Sequence, residues 1–338
     1  MQQQRKRVVL INPMPHPAGK ALLAAEFEVI ELVDPDEAAV SAAIAEADAA
    51  VVNPGGYLTA PVVRAAKRLQ VIAVTGAGFD RVDLDGATER GIPVVNNTGL
   101  GAIPVAEHAI GMMISLAKDF RRADRMVREQ AWSARGHYLG IGMGVELNKL
   151  TLGIIGLGNI GSITARLANA FGMRVLAYDP YLNAKEVTDR GAQQVTVLRD
   201  MLPECDFVTI HCPHNAETHY LISVAELRSM KATAYLINCA RGPIVDTTSL
   251  VQALEGGAIA GAGIDTFEPE PIPTEHPLFR LDNVILSPHV AGITTATVEK
   301  LALGSAEQVI EVLSGKRPTR LVNPHVWEQF RERYPVAK

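Results

Sequence analysis

Three glycines in the stretch LGIIGLGNIG (152–161), namely Gly156, Gly158 and Gly161, have the spacing that brings a backbone close to a pyrophosphate. The run follows an apolar strand and opens a helical pattern at 160–171. The next strand, RVLAYD, ends in Asp179, about twenty residues beyond the glycines, as in a dinucleotide-binding βαβ unit. Gly156 would permit the tight turn. Gly158 would let the phosphates approach the free N–H groups of the helix start, at Asn159 and Ile160, and Gly161 would let helix and strand pack closely. Asp179 would bond ribose hydroxyls and repel a 2′-phosphate, which favours NAD over NADP. A second stretch, INCARGPIVD (237–246), sets Arg241 where a buried strand leaves the core. Ligands bind at the carboxyl ends of parallel strands, and an anionic ligand there needs a cation. HCPH (211–214), with His219 nearby, offers metal-ligand atoms. No second ligand cluster accompanies it and Pro213 interrupts helical spacing, so no metal is expected.

The elements that must position these residues are short apolar runs alternating with helical patterns. Strands are expected at 8–11, 29–32, 50–52, 71–74 and 94–95. After one long helix over 103–130 they resume at 152–155, 174–178, 194–197, 207–210, 234–237, 261–264 and 284–286. Such alternation predicts parallel sheets covered by helices on both faces. The first set ends near Asn96, and NNTGLGAIP (96–104) reads as a turn-rich linker. SPHVAGIT (287–294) precedes a last amphipathic helix, 295–313, expected to return to the first domain. The second domain is then an insertion, and two adjacent chain crossings would make a hinge beside a cleft.

The 338 residues are too many for one small core, and two domains of ordinary size fit better. Hydrophobic residues at 48% and charged residues at 20% suit a globular chain; no apolar run approaches a membrane span, and the start, MQQQRKRVVLIN, does not read as a signal peptide. The net charge of −5 argues against a nucleic-acid surface. Three cysteines, Cys205, Cys212 and Cys239, form no framework and suit a reducing cytoplasm.

Four further stretches accompany the glycines: HCPHNAETHYLI (211–222), NCARGPIVD (238–246), GIDTFEPEP (263–271) and LSPHVAG (286–292). In order and spacing the chain resembles the D-isomer-specific 2-hydroxyacid dehydrogenases, from VTGAGFDRVDL (74–84) to VNP (322–324). The resemblance implies an α/β protein of two doubly wound parallel-sheet domains. A Rossmann-type NAD-binding domain, 104–291, is inserted into a flavodoxin-like substrate domain, 1–103 and 292–338. It also implies an Arg–Glu–His site at Arg241, Glu270 and His289. Arg241 would hold a 2-oxo acid by forked, charge-assisted bonds. His289 would exchange the proton, its side-chain type titrating near neutrality, and Glu270 would orient the imidazole and favour its charged form. Asp265 would contact the nicotinamide side of the cofactor. His211, Cys212, Pro213, Cys239, Ala240, Ala291 and Gly292 would line the same cleft. In TGAGFD (75–80), backbone N–H groups near Ala77 and Gly78 would grip the substrate carboxylate.

The resemblance further implies a homodimer built around the region after the linker, where relatives often carry a tryptophan and this chain has Trp132. The helix with Glu107 and His108 near its start is assigned to core and subunit interface rather than to chemistry. VVNPGGYLT (51–59) has no basic residue where phosphoglycerate dehydrogenases hold a phosphate, which speaks for an unphosphorylated acid. The chain ends soon after the last helix, so no regulatory C-terminal domain is expected. Two rivals share the fold. A dinucleotide-sensing transcriptional corepressor would add long tails, and formate dehydrogenase would pair its histidine with an amide where this chain has Glu270.

Overall fold

The computed structural model describes residues 5–141 and 144–335, so the first four residues of the basic opening segment lie outside the described residues. Two compact units are present, Met1–Gly101 with Ile293–Lys338, and Ala102–Gly292.

In the first unit five parallel strands lie in the order β2-β1-β3-β4-β5: β1 Arg7–Ile11, β2 Glu28–Leu32, β3 Ala49–Val52, β4 Val71–Val74 and β5 Val94–Val95. β3 and β4 read AAVV and VIAV and are buried throughout, the pattern of strands covered on both faces. One apolar cluster lies on each face, and the helix Thr295–Leu313 contributes Ala302, Ala306, Val309 and Val312 to one of them.

In the second unit seven parallel strands lie in the order β12-β11-β10-β9-β6-β7-β8. They are β6 Thr151–Ile155, β7 Arg174–Tyr178, β8 Gln193–Gln194, β9 Phe207–Ile210, β10 Tyr235–Asn238, β11 Gly261–Ile264 and β12 Val284–Leu286. Chain order reverses between β6 and β9, the switch point at which open α/β sheets bind ligands. Two apolar clusters again cover the two faces.

Two expected elements differ. The long helix over 103–130 is two helices, Ala102–Ala117 and Phe120–Gln130, so helix also begins within the expected linker. The break falls at Asp119, whose φ of 49° is left-handed, a conformation that aspartate tolerates better than most residues. No glycine or proline marks it. The strand expected at 194–197 ends at Gln194, and the half-exposed Val197 instead precedes the short helix Leu198–Met201.

The stretch read as a linker contains a buried polar hub. Asn97 is fully buried; its Nδ2 donates to Thr75 O (3.0 Å), Leu301 O (2.9 Å) and Ser305 Oγ (2.8 Å). Gln308 Nε2 donates to Asn96 O at 2.9 Å. These bonds join the β4 loop to the returning helix. Asn97→Ala should therefore leave buried acceptors unpaired and cost about 2–3 kcal/mol, several such groups losing one donor. Urea unfolding of the two proteins measures this, and a loss below about 0.5 kcal/mol would mean water replaces the amide.

Candidate active site

Because all seven strands run the same way, the loops after β6, β7, β9, β10, β11 and β12 leave from one edge of the sheet. Every expected site residue of this unit lies on those loops or at the helix start that follows one of them.

The glycine loop follows β6. A Cβ at Gly156, which has a φ of 88°, would lie 2.6 Å from Cys212 N, so the loops on either side of the switch point meet backbone to backbone. A Cβ at Gly161 would lie 2.2 Å from Gly156 O, which only glycine avoids. Gly158 faces open space, and the exposed Asn159 begins the helix Asn159–Ala170, with Ile160 half-buried after it. Leu157, between the glycines, is held at both ends. Its N–H donates to Asp179 Oδ2 (2.9 Å) and its carbonyl accepts from Arg190 Nη1 (2.6 Å). Asp179 Oδ1 also accepts from Tyr181 N at 3.0 Å, so the half-exposed carboxylate is fixed by backbone donors. An open cradle at a helix start, with a fixed carboxylate at the next strand end, suits a dinucleotide.

His211 supports the cradle from behind. Its Nε2 lies 3.1 Å from Thr209 Oγ1 and 3.3 Å from Thr164 Oγ1, while Nδ1 is buried without a partner. Thr164 Oγ1 lies 3.1 Å from Ile160 O and donates to it, leaving its lone pairs for a hydrogen on His211 Nε2. Burial lowers the His211 pKa to about 3, so the ring stays neutral. Cys212 is half-buried, burial pushing its thiol up to about 12, and Pro213 is exposed. His214 Nε2 lies 3.1 Å from His219 Nδ1, and among the described residues no group of three metal-ligand side chains occurs.

Arg241 follows β10 in extended backbone, after the buried Cys239 and half-buried Ala240. Asn238 Nδ2 donates to Arg241 O (2.9 Å), and Arg241 Nη1 donates to Ala240 O (2.7 Å). The next residue, Gly242, packs on the loop after β11: a Cβ there would lie 2.1 Å from Phe267 C and O. That loop carries Glu270, whose Oε1 accepts from Phe267 N (2.9 Å) while Oε2 lies 2.9 Å from His289 Nδ1. Arginine, glutamate and histidine are thus assembled from three loops. The imidazole is 46% exposed, with Nε2 left for a reactant.

Asp265 is fully buried. Its carboxylate accepts from Ser287 Oγ (2.5 Å), Val290 N (2.9 Å) and Ala291 N (2.9 Å), and its carbonyl from His289 N (2.7 Å). The carboxylate expected beside the nicotinamide thus also clamps the His289 loop, in which His289 has a left-handed φ of 55° and Gly292 is half-buried. Three contributors were missed in the sequence. Arg190 belongs to no motif, Ser287 stands in LSPHVAG without an assigned role, and His108 reads from the sequence as core and interface; only their contacts mark them. In the other unit Ala77 is exposed and Gly78 half-buried in the loop after β4, which is pinned by Asn96 Nδ2 to Ala77 O (2.6 Å) and Asn97 N to Gly76 O (2.9 Å).

Residues 110–291 match the sequence model described as D-isomer specific 2-hydroxyacid dehydrogenase, NAD binding domain. The chain belongs to the D-isomer-specific 2-hydroxyacid dehydrogenase family. It is 40% identical to glyoxylate reductase of Thermofilum pendens over 80% of this chain and 79% of that protein. It is 37% identical to D-3-phosphoglycerate dehydrogenase of Synechocystis over 89% of this chain but only 54% of that longer protein. The NADPH-dependent glyoxylate/hydroxypyruvate reductase of Sinorhizobium meliloti, solved with NADP and malonate, superposes with a TM-score of 0.85 at 29% identity, covering 94% of this chain and 97% of that one. The dehydrogenase is accordingly an NAD(P)-dependent oxidoreductase of 2-hydroxy and 2-oxo acids.

The neutral His211 gives the dehydrogenase an acid-sensitive cradle. Its folded pKa lies below the ordinary 6.5, so the unfolded chain takes up a proton that the folded chain refuses. Stability from this group is present above pH 6.5 and is lost as the pH falls towards about 3. Replacing His211 with glutamine, which does not titrate, should reduce the slope of stability against pH near pH 5 by up to about 1.4 kcal/mol per pH unit. Urea unfolding at several pH values measures it, and parallel slopes would place His211 in contact with water.

Proposed function

We propose that the enzyme interconverts a small, unphosphorylated 2-oxo acid and its D-2-hydroxy acid, with NAD preferred over NADP. The observation that carries this reading is the His289 Nδ1–Glu270 Oε2 pair at 2.9 Å, with Glu270 on a loop packed against the turn that holds Arg241. When bound, the nicotinamide would supply or accept the hydride at C2. His289 gives its Nε2 proton to the oxygen during reduction and takes one back during oxidation. Glu270, fixed through Phe267 N, keeps the ring turned and compensates the imidazolium charge. Arg241 grips the carboxylate and carbonyl oxygens with its planar fork. The amides of Ala77 and Gly78 are assigned to the substrate carboxylate by the family resemblance.

Asp179 supports the NAD preference, since a carboxylate held at the ribose position repels a 2′-phosphate. The absence of a basic residue from Asn53 to Tyr57 supports an unphosphorylated acid. Glu270 on the histidine speaks against a formate dehydrogenase, which pairs it with an amide. A homodimer is supported by Phe120, Val127, Trp132 and Leu139, which expose 53%, 57%, 80% and 70% of their surface along 120–139. Three unpaired cysteines support a reducing, cytoplasmic setting; no helix among the described residues is long and apolar enough to cross a membrane.

His289→Ala should lower kcat for reduction by about 100-fold or more, with NADH affinity nearly unchanged. Steady-state kinetics beside NADH titration checks this, and near-normal turnover would remove His289 from the chemistry. With the wild-type protein, kcat/KM for hydroxypyruvate, glyoxylate or a larger unphosphorylated 2-oxo acid should exceed that for 3-phosphohydroxypyruvate, and NADH should outperform NADPH. A panel of 2-oxo acids run with both cofactors decides; the opposite rankings would sink the substrate and cofactor readings respectively.

A further inference from the structure

His108 stands on the second turn of the helix Ala102–Ala117, with 28% of its side chain exposed. Its Nε2 lies 2.9 Å from Ser287 Oγ and 3.8 Å from Asp265 Oδ1. Histidine, serine and aspartate in a row invite comparison with a hydrolytic triad, but the hydrogen positions run the other way. Val290 N and Ala291 N can only donate, one to each oxygen of Asp265, so the carboxylate acts as acceptor. Ser287 spends its single hydrogen on Asp265 Oδ1 at 2.5 Å. Only lone pairs remain on Ser287 Oγ for His108, so His108 Nε2 carries the hydrogen and donates. His108 therefore cannot act as a base on this serine, and the row is not a hydrolytic triad.

We propose that His108 is a positioning residue for His289. The chain from His108 to Ser287 to Asp265 fixes which way the buried carboxylate faces. That carboxylate holds Val290 N and Ala291 N, while the Asp265 carbonyl holds His289 N at 2.7 Å. Together these bonds keep His289 in its left-handed conformation, with Nδ1 on Glu270 and Nε2 towards the reactant. Without the donor at His108, Ser287 can turn away from Asp265, and the loop loses its tightest side-chain tie. A small displacement of a proton donor costs turnover far more than binding. The inference rests on the reading of His289 as the proton donor.

The test compares His108→Leu, His108→Gln and His108→Asn in the full-length enzyme, with NADH titration and thermal unfolding alongside. Leucine should lower kcat by about 10-fold while KM for NADH changes by less than about 2-fold. Glutamine places an amide N–H near the position of Nε2 and should recover kcat to within about 3-fold of wild type; asparagine is too short to reach Ser287 and should not. The glutamine–asparagine contrast stands even if the leucine protein fails to fold. In a His289→Ala background, His108→Leu should cost less than about 2-fold more, because the group being positioned is gone. Wild-type kcat in His108→Leu, equal losses for glutamine and asparagine, or an undiminished effect in the His289→Ala background would each overturn the proposal. If His289→Ala alone were fully active, the reading of His289 would fall first and this inference with it; an impaired His289→Ala beside a normal His108→Leu would overturn this inference alone.

Discussion

A parallel strand cannot pair with its predecessor through a tight turn; the chain must cross back over a face of the sheet before it can pair. The rest of this molecule depends on that constraint. It delivers the carboxyl ends of β6, β7, β9, β10, β11 and β12 to one edge, so residues from Gly156 to His289 meet there although far apart in the chain. The edge is also where strand carbonyls and helix-start N–H groups lack regular partners. Unspent groups of this kind gather at the proposed site: backbone donors at the glycine loop, and backbone-anchored carboxylates at Asp179, Asp265 and Glu270.

The loops at this edge are joined to one another as well as to their strands. Gly156 meets Cys212 across the switch point, and Gly242 meets Phe267 between the arginine and glutamate loops, both too close for any side chain. Asp265 ties the end of β11 to the loop after β12 through three donors to its carboxylate. The half-exposed imidazole of His289 is thus anchored through the fully buried Asp265. Preorganisation of this kind would spare His289, in its proposed role as acid, from being ordered during each turnover.

Much of this was legible beforehand because the relevant signals are local. Continuous apolar runs such as VIAV at 71–74 and FVTI at 207–210 mark strands buried on both faces, and their bounds agree with the structure. The break at Asp119 was not legible, since a left-handed aspartate leaves no mark in an otherwise helical pattern. Asn96 and Asn97 read as turn formers in a linker, and both are buried hydrogen-bonding groups. Asparagine has the same letter in either role, and only the distant partners Leu301, Ser305 and Gln308 decide between them.

The sequence by itself determined the class of chemistry. Glycine spacing, an aspartate at the next strand end, and arginine, glutamate and histidine in ordered motifs are properties of residue type and separation along the chain. Tertiary structure alone decided which groups support them. It set the direction of the hydrogen bonds around Asp265, kept the ring of His211 neutral by burial, and brought His108 from its helix to within 2.9 Å of Ser287. The physical reason is range. A turn or a strand is specified by neighbours in sequence, whereas a hydrogen bond across 179 residues forms only after the sheet has brought its ends together.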